Sequence, residues 1–454
     1  MKNATIIKDY TTGNVPKQLI VFSAPFMLSN ALQVLYSLAD MMIVGRIVGS
    51  AGLSAVSSAS QIFTFMTMLG LGFSSGGQVL IAQLIGSKKR EALNRAIGTL
   101  FSVTLLLGAV MGAIGLCVGK NVLTLLNTPA EAYSMASDYT LVCSLGIIFT
   151  YGYNMVSAAL RGMGDSKSPF LFILIASVLN IIGDLVLVGL FDMKCAGAAL
   201  ATIFGQAVSF LFSLVFLYKK RAEIGFDFKL SSFAIDTDML RILVRMGVPF
   251  AVQSCAVNIS MMFVNSLVNS LGIYASAVFG VGVKIDDIIN KITQGMAFAA
   301  STMCAQNIAA GEFRRTKKVV YWTLLLCGAC YLVFTVIYLL FYREMFALFD
   351  DSEQVLSLSY TFVSAIVWGF PAMVLMRSGN GLMRGIGNAN LSLAMGLLDA
   401  FVFRIGLSLL LGTVLEMGLY GFFLGYALAA YGTGVPAMIY FFSGKWKSYR
   451  LIRA

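Results

Sequence analysis

Apolar runs of about 20 residues, parted by short polar stretches, recur along the chain from Ile20 onward, and each is long enough to cross a hydrocarbon core about 30 Å thick as a helix. Twelve spans are predicted, near residues 18–43, 53–84, 93–118, 134–160, 170–190, 196–218, 239–269, 274–308, 317–341, 357–381, 391–412 and 418–442. Six precede the longest polar stretch and six follow it. That stretch, residues 221–238, is predicted to link an N-terminal lobe, 1–220, to a C-terminal lobe, 239–454. The first run leads directly into further runs and lacks a small-residue cleavage site, so it predicts a membrane helix and not a removable signal.

The two halves carry the same local patterns in the same order, about 223 residues apart. Pro25-Phe26 returns as Pro249-Phe250, Ala82-Gln83 as Ala305-Gln306, Tyr139-Thr140 as Tyr360-Thr361, and Arg161-Gly162-Met163-Gly164 as Arg384-Gly385-Ile386-Gly387. Four matches in register predict an internal repeat. With an even number of spans in each half, both enter the membrane in one direction, which predicts a parallel repeat about an axis along the membrane normal. The expected fold is therefore all-α and integral to the membrane, with about twelve transmembrane helices in two six-helix lobes. A solute path between rocking lobes is the common use of such a plan.

Composition agrees with that pattern. Of 454 residues 58% are hydrophobic and only 12% charged, against roughly 25% charged in soluble domains. The net charge of +11 raises nucleic acid as a partner, but the charges lie between the spans. With a cytoplasmic N-terminus, about 24 of the 32 Lys and Arg fall in the termini and even-numbered loops, the positive-inside bias of a multi-pass protein of the cell membrane with both termini in the cytoplasm. The main clusters are Lys88-Lys89-Arg90, Lys219-Lys220-Arg221, Arg314-Arg315 with Lys317-Lys318, and Lys445, Lys447, Arg450 and Arg453. Membrane lipid is the expected surroundings, nucleic acid is not an expected partner, and the chain reads as a monomer.

Seven cysteines lie mostly inside apolar segments without disulfide spacing, and there is no His. That removes the His-based zinc and nucleophile arrangements most open to a membrane hydrolase, so no enzymatic activity and no cofactor are expected.

Few ionisable groups fall at membrane depth, where each costs about 2.5 to 3.5 kcal/mol on insertion scales and needs a partner or a task. In the first span Ser29, Gln33, Tyr36, Ser37 and Asp40 make one polar stripe at helical spacing, and Pro25 supplies a possible hinge by removing a backbone hydrogen bond. In the fifth span Asn180 and Asp184 share a face; Thr202, Gln206 and Ser209 stripe the sixth, and Asn154 and Ser157 the fourth. Two carboxyls with neutral oxygens suit a small hard cation, and equally a proton, because removal from water favours the neutral form of a carboxyl in general. The alternative is that these groups only bond neighbouring helices. In the second half Ser254, Asn258, Asn265 and Asn269 stripe the seventh span beside Gln253, and Lys284, Asp287 and Lys291 share a face of the eighth. Asp286, Asp399 and Arg404 have no partner that the sequence identifies.

The segment Leu160-Arg-Gly-Met-Gly-Asp-Ser-Lys-Ser-Pro169, the segment Ala82-Gln-Leu-Ile-Gly86 and the doubled six-span plan resemble the MATE (multidrug and toxic compound extrusion) transporters over nearly the whole chain. The resemblance implies secondary active efflux of organic, often cationic and amphiphilic compounds, in exchange for H+ or Na+. Within the family the chain resembles the DinF-like branch, which implies a cation-coupling set of Asp40, Asn180, Asp184 and Thr202, the possible Na+ ligands, with Tyr36 and Asn154 around the same site; from the polar stripes Gln33, Gln206, Gln253 and Asn258 are also expected to line it, with Pro25 as hinge. A cation site in the C-terminal lobe, as in NorM-like relatives, is not expected, since the seventh span offers Gln253 and the tenth no acid between Phe362 and Leu382. Two other readings remain: a flippase for lipid-linked precursors, using Lys284, Lys291 and Arg404 for phosphate, and a membrane-embedded lipid enzyme, for which no nucleophile with a base is visible.

Overall fold

The structure, a computed structural model, describes residues 6–449 and 451; Arg450, Arg453 and the first five residues of the N-terminal lobe lie outside the described residues. No strand occurs among the described residues. Twelve long helices follow one another: α1 Val15–Ile47, α2 Ser50–Gly86, α3 Glu91–Leu125, α4 Ala130–Gly162, α5 Lys167–Leu190, α6 Lys194–Lys219, α7 Thr237–Asn269, α8 Ile273–Ala309, α9 Phe313–Ala347, α10 Glu353–Ile386, α11 Ala389–Val414 and α12 Gly418–Ser443. Each matches one of the twelve predicted spans. Eleven are long and apolar enough to cross a membrane. The twelfth, α8, is as long as α2, and its charged residues Lys284, Asp286, Asp287 and Lys291 set it apart.

The repeat motif has a local structural cause. Gly164 ends α4 with φ +90° and Gly387 ends α10 with φ +81°, a left-handed conformation that favours glycine. In the first copy Asp165 then caps α5, its Oδ1 accepting from the amides of Lys167 (2.9 Å) and Ser168 (3.2 Å) and its Oδ2 from the Ser168 hydroxyl. In the second copy Asn388 caps α11 by accepting from the Leu391 amide at 3.3 Å. Glycine followed by a capping side chain is thus what the two halves share at this turn.

The helices form two compact units. One holds the stretch up to Asp9 and Leu28–Ala251; the other holds Tyr10–Met27 and the chain from Val252 onward. The division runs inside α1 and α7, two residues beyond Pro25 and Pro249, whereas the sequence places it in the linker 221–238. Both helices remain helical through the change.

In the first unit, the core gathers Val44, Ala55, Ala59, Ile147, Tyr151, Val188 and Ala198. Gly70 leaves room for the Tyr151 ring, whose hydroxyl donates to the Met66 carbonyl at 2.5 Å. The linker is docked on α3 of the same unit: Asn94 donates to Ser232 (3.1 Å), Ser102 to the Phe233 carbonyl (2.6 Å), and Arg95 pairs with Asp236 at 3.2 Å. Asp227 accepts from the Ser232 hydroxyl (2.6 Å) and the Lys229 amide (3.2 Å), and these bonds hold its carboxyl below the usual carboxylate range.

In the second unit, Tyr10, Leu19, Phe22 and Phe26 pack against Ala299, Met303, Val320 and Trp446. The Tyr10 amide donates to Gln306 Oε1 at 2.9 Å, and Arg315 donates to the carbonyls of Tyr10, Thr12 and Gly13 at 3.0, 2.9 and 2.8 Å. Gln306, one of the repeated residues, thereby receives a task that its sequence position alone does not reveal.

Candidate functional site

Asp184 lies 17 residues into α5, about 26 Å of helical rise from Lys167, and is fully buried. Directly after it Leu185–Leu190 takes π-helical form, a distortion often found at functional positions. Two glycines bring α5 and α6 together around it: a Cβ on Gly183 would stand 2.8 Å from the Ala201 Cβ, and one on Gly205 2.7 Å from the Ala176 carbonyl. Between these close approaches Asn180, also buried, donates from Nδ2 to Thr202 Oγ1 at 3.2 Å.

Asp40 reaches the same place from α1, seven residues before that helix ends, about 10 Å along it. The Asp40 and Asp184 carboxyls meet side chain to side chain within hydrogen-bonding reach. Two carboxylates are acceptors only, so such a contact requires a proton or a cation between them. No donor reaches either Asp184 oxygen, Asp40 Oδ1 or Asn180 Oδ1 among the described residues, and Gln206 Oε1, one turn along α6 from Thr202, is likewise buried without a partner. The result is a cluster of carboxyl and amide oxygens without donors, all in the first unit.

Around it, Tyr36 on α1 is half-buried within electrostatic range of Asp40 and of Tyr153 on α4. Gln33 continues the α1 stripe, half-buried one turn before Tyr36, and Asn154 is half-buried on α4. Tyr139 also belongs here: buried on α4, it lies within electrostatic range of both acids and is hydrogen-bonded to Ser60. Its only mark in the sequence is the Tyr-Thr pair that returns at Tyr360-Thr361, which says nothing of a charge nearby.

Gln253 and Asn258 are elsewhere. Both belong to the second unit; Gln253 is buried against Gly396 of α11, and Asn258 donates to the Ser254 carbonyl at 2.9 Å. There Arg404 pairs with Asp399 at 2.9 Å and lies over the Tyr426 ring, 4.9 Å from its centroid, so its charge is engaged internally. Of the two neighbouring acids on α8, Asp286 is the buried one, with Oδ1 unpartnered, while Lys284 is exposed.

Comparison with known proteins places this arrangement. The profile of the MatE family matches residues 25–186 and again 249–410, one match for each half. The chain is 29% identical over 98% of both chains to the probable multidrug resistance protein YpnP of Bacillus subtilis. Solved structures of MATE in a straight and a bent conformation superpose with TM-scores of 0.89 and 0.88 at 22% and 21% identity, covering 95% and 97% of this chain and 96% and 97% of theirs.

Proposed function

The chain belongs to the MatE family of transporters, and from that premise we propose that it exports organic, often cationic and amphiphilic compounds from the cell by exchange for H+ or Na+. The observation that carries this reading is the contact of Asp40 with Asp184, two carboxyls with oxygens to which no other described residue donates. A proton or a sodium ion entering from outside settles between the two carboxyls, with Asn180 and Thr202 as further oxygen ligands in the sodium case. Either one cancels the repulsion. Residues 28–47 of α1 then draw toward α5 and α6, and Pro25, which lacks the amide proton that would tie it into the helix, supplies the bend.

Because Leu28–Ile47 belongs to the first unit, a bend there alters what that unit presents to the compound carried. Coupling arises from the difference in ion affinity between the two states. At 100 mV one net charge moved supplies about 2.3 kcal/mol, enough for roughly forty-fold accumulation. The protein acts in the cell membrane as a monomer with both termini in the cytoplasm, needs no cofactor, and is built from two six-helix lobes.

The deciding experiment is dye efflux from proteoliposomes under a sodium gradient and a proton gradient imposed separately. Efflux under one names the ion. Silence under both, with the protein folded and inserted, overturns the proposal.

A further inference from the structure

Arg377 is a permanent positive charge inside α10, nine residues before that helix ends at Ile386, about 13 Å of rise from its terminus. All its contacts are within the second unit. Nη2 donates to the carbonyl and to Oδ1 of Asn290 on α8, both at 3.2 Å. Asn290 Oδ1 also accepts from the Tyr331 hydroxyl of α9 at 2.8 Å, and that hydroxyl lies 3.3 Å from Thr293 Oγ1. Arg377 Nε is buried and has no partner.

What is missing is an anion. Among the described residues no carboxylate lies within 4.0 Å of this half-buried guanidinium, while Arg404, buried in the same unit, has Asp399 at 2.9 Å. Within electrostatic range of Arg377 lie Arg384 along its own helix and Cys327 and Tyr331 on α9, and none of these three supplies negative charge. Neutral oxygens solvate a guanidinium without cancelling it, and an uncancelled charge at membrane depth is costly. A guanidinium with an unused N–H, held in place through Asn290 by Tyr331, is suited to an oxyanion.

We propose that Arg377, oriented by Asn290 and Tyr331, forms an oxyanion-recognition point in the second unit, which takes the carboxylate or phosphate of an amphiphile. This binding does not rest on the export reading.

The test uses a matched pair of probes, a rhodamine with a free carboxylate and its ethyl ester, which differ only in the anion. Binding of each to the purified full-length protein is read by fluorescence anisotropy, so the outcome is independent of transport. In wild type the acid binds at least as tightly as the ester. Arg377→Gln lowers acid affinity relative to ester affinity by tenfold or more, and Arg377→Lys lowers it less. Asn290→Asp places a carboxylate at the guanidinium and abolishes the preference while the protein stays at least as heat-stable, which separates anion loss from misfolding. If the occupant is a lipid headgroup, Arg377→Gln and Asn290→Asp instead lose about one tightly held phospholipid per protein, measured as phosphorus. An unchanged acid-to-ester ratio together with unchanged phosphorus in both variants overturns the proposal. Wild-type binding without efflux of either dye would count against export and not against this site.

Discussion

Replacing Asp184 by Asn keeps its shape and removes one of the two carboxylates that would hold a bound cation. The loss for a bound cation follows from Coulomb's law: a unit charge about 4 Å away at an effective dielectric of 20 contributes about 4 kcal/mol. At about 1.4 kcal/mol per factor of ten this is close to a thousand-fold in ion affinity, and half that energy still gives about thirty-fold. The same change should stabilise the ion-free protein wherever no proton bridges the two carboxyls, because the amide introduced at this position can donate an N–H to Asp40 where wild type then has two opposed acceptors. Two assays therefore move in opposite directions. The melting temperature in ion-free buffer rises for Asp184→Asn, while the stabilisation that wild type gains from its coupling ion disappears. Gradient-driven dye efflux falls to the level of empty liposomes. A variant that keeps efflux within about threefold of wild type, at normal membrane abundance, refutes the assignment of Asp184 to ion coupling.

Gly183→Leu should force α5 from α6, since even a Cβ would stand 2.8 Å from Ala201; an overpacking cost of about 1 to 3 kcal/mol is expected, read as a lower melting temperature and weaker ion binding. Asp165→Ala removes the cap of α5 and should cost about 1 to 2 kcal/mol, with Asp165→Asn closer to wild type by the same melting assay. Asp227, held below its ordinary carboxylate range by bonds to Ser232 and Lys229, stabilises the linker at pH values above that ordinary range, near ~4, and the contribution is lost as pH falls through the lowered value. Hydrogen exchange at Lys229–Phe233, corrected for intrinsic rates, should therefore show protection kept at pH 6 and lost in acid, and Asp227→Asn should lose it already at neutral pH.

The spans were legible because lipid imposes one requirement on every helix, a long apolar run. Even α8 was readable despite its charges, since its flanks are apolar and the repeat demands a partner for α2. The Asn180 and Asp184 face follows from the helical period. That Asp40 meets it does not, because 144 residues separate the two acids in the chain and no periodicity reaches so far; the family resemblance joined them. Tyr139 and Arg377 escaped notice for another reason. Each is a single residue in an apolar run, and its role depends on neighbours from other helices. The change of unit inside α1 and α7 was also invisible, because neither proline interrupts the helix in which it lies and the linker offered the only polar gap.

That change of unit bears on how the protein is made. Translation supplies about 5 to 20 residues per second, and the first unit stays incomplete until Ala251 has emerged, well past the end of the sixth helix. Tyr10–Met27, synthesised more than 200 residues before the rest of their unit, belong with the chain from Val252 onward. Neither half of the gene encodes a finished body. The early helices must wait in the bilayer for later ones, and a chain stopped at the linker would leave the first unit without Thr237–Ala251.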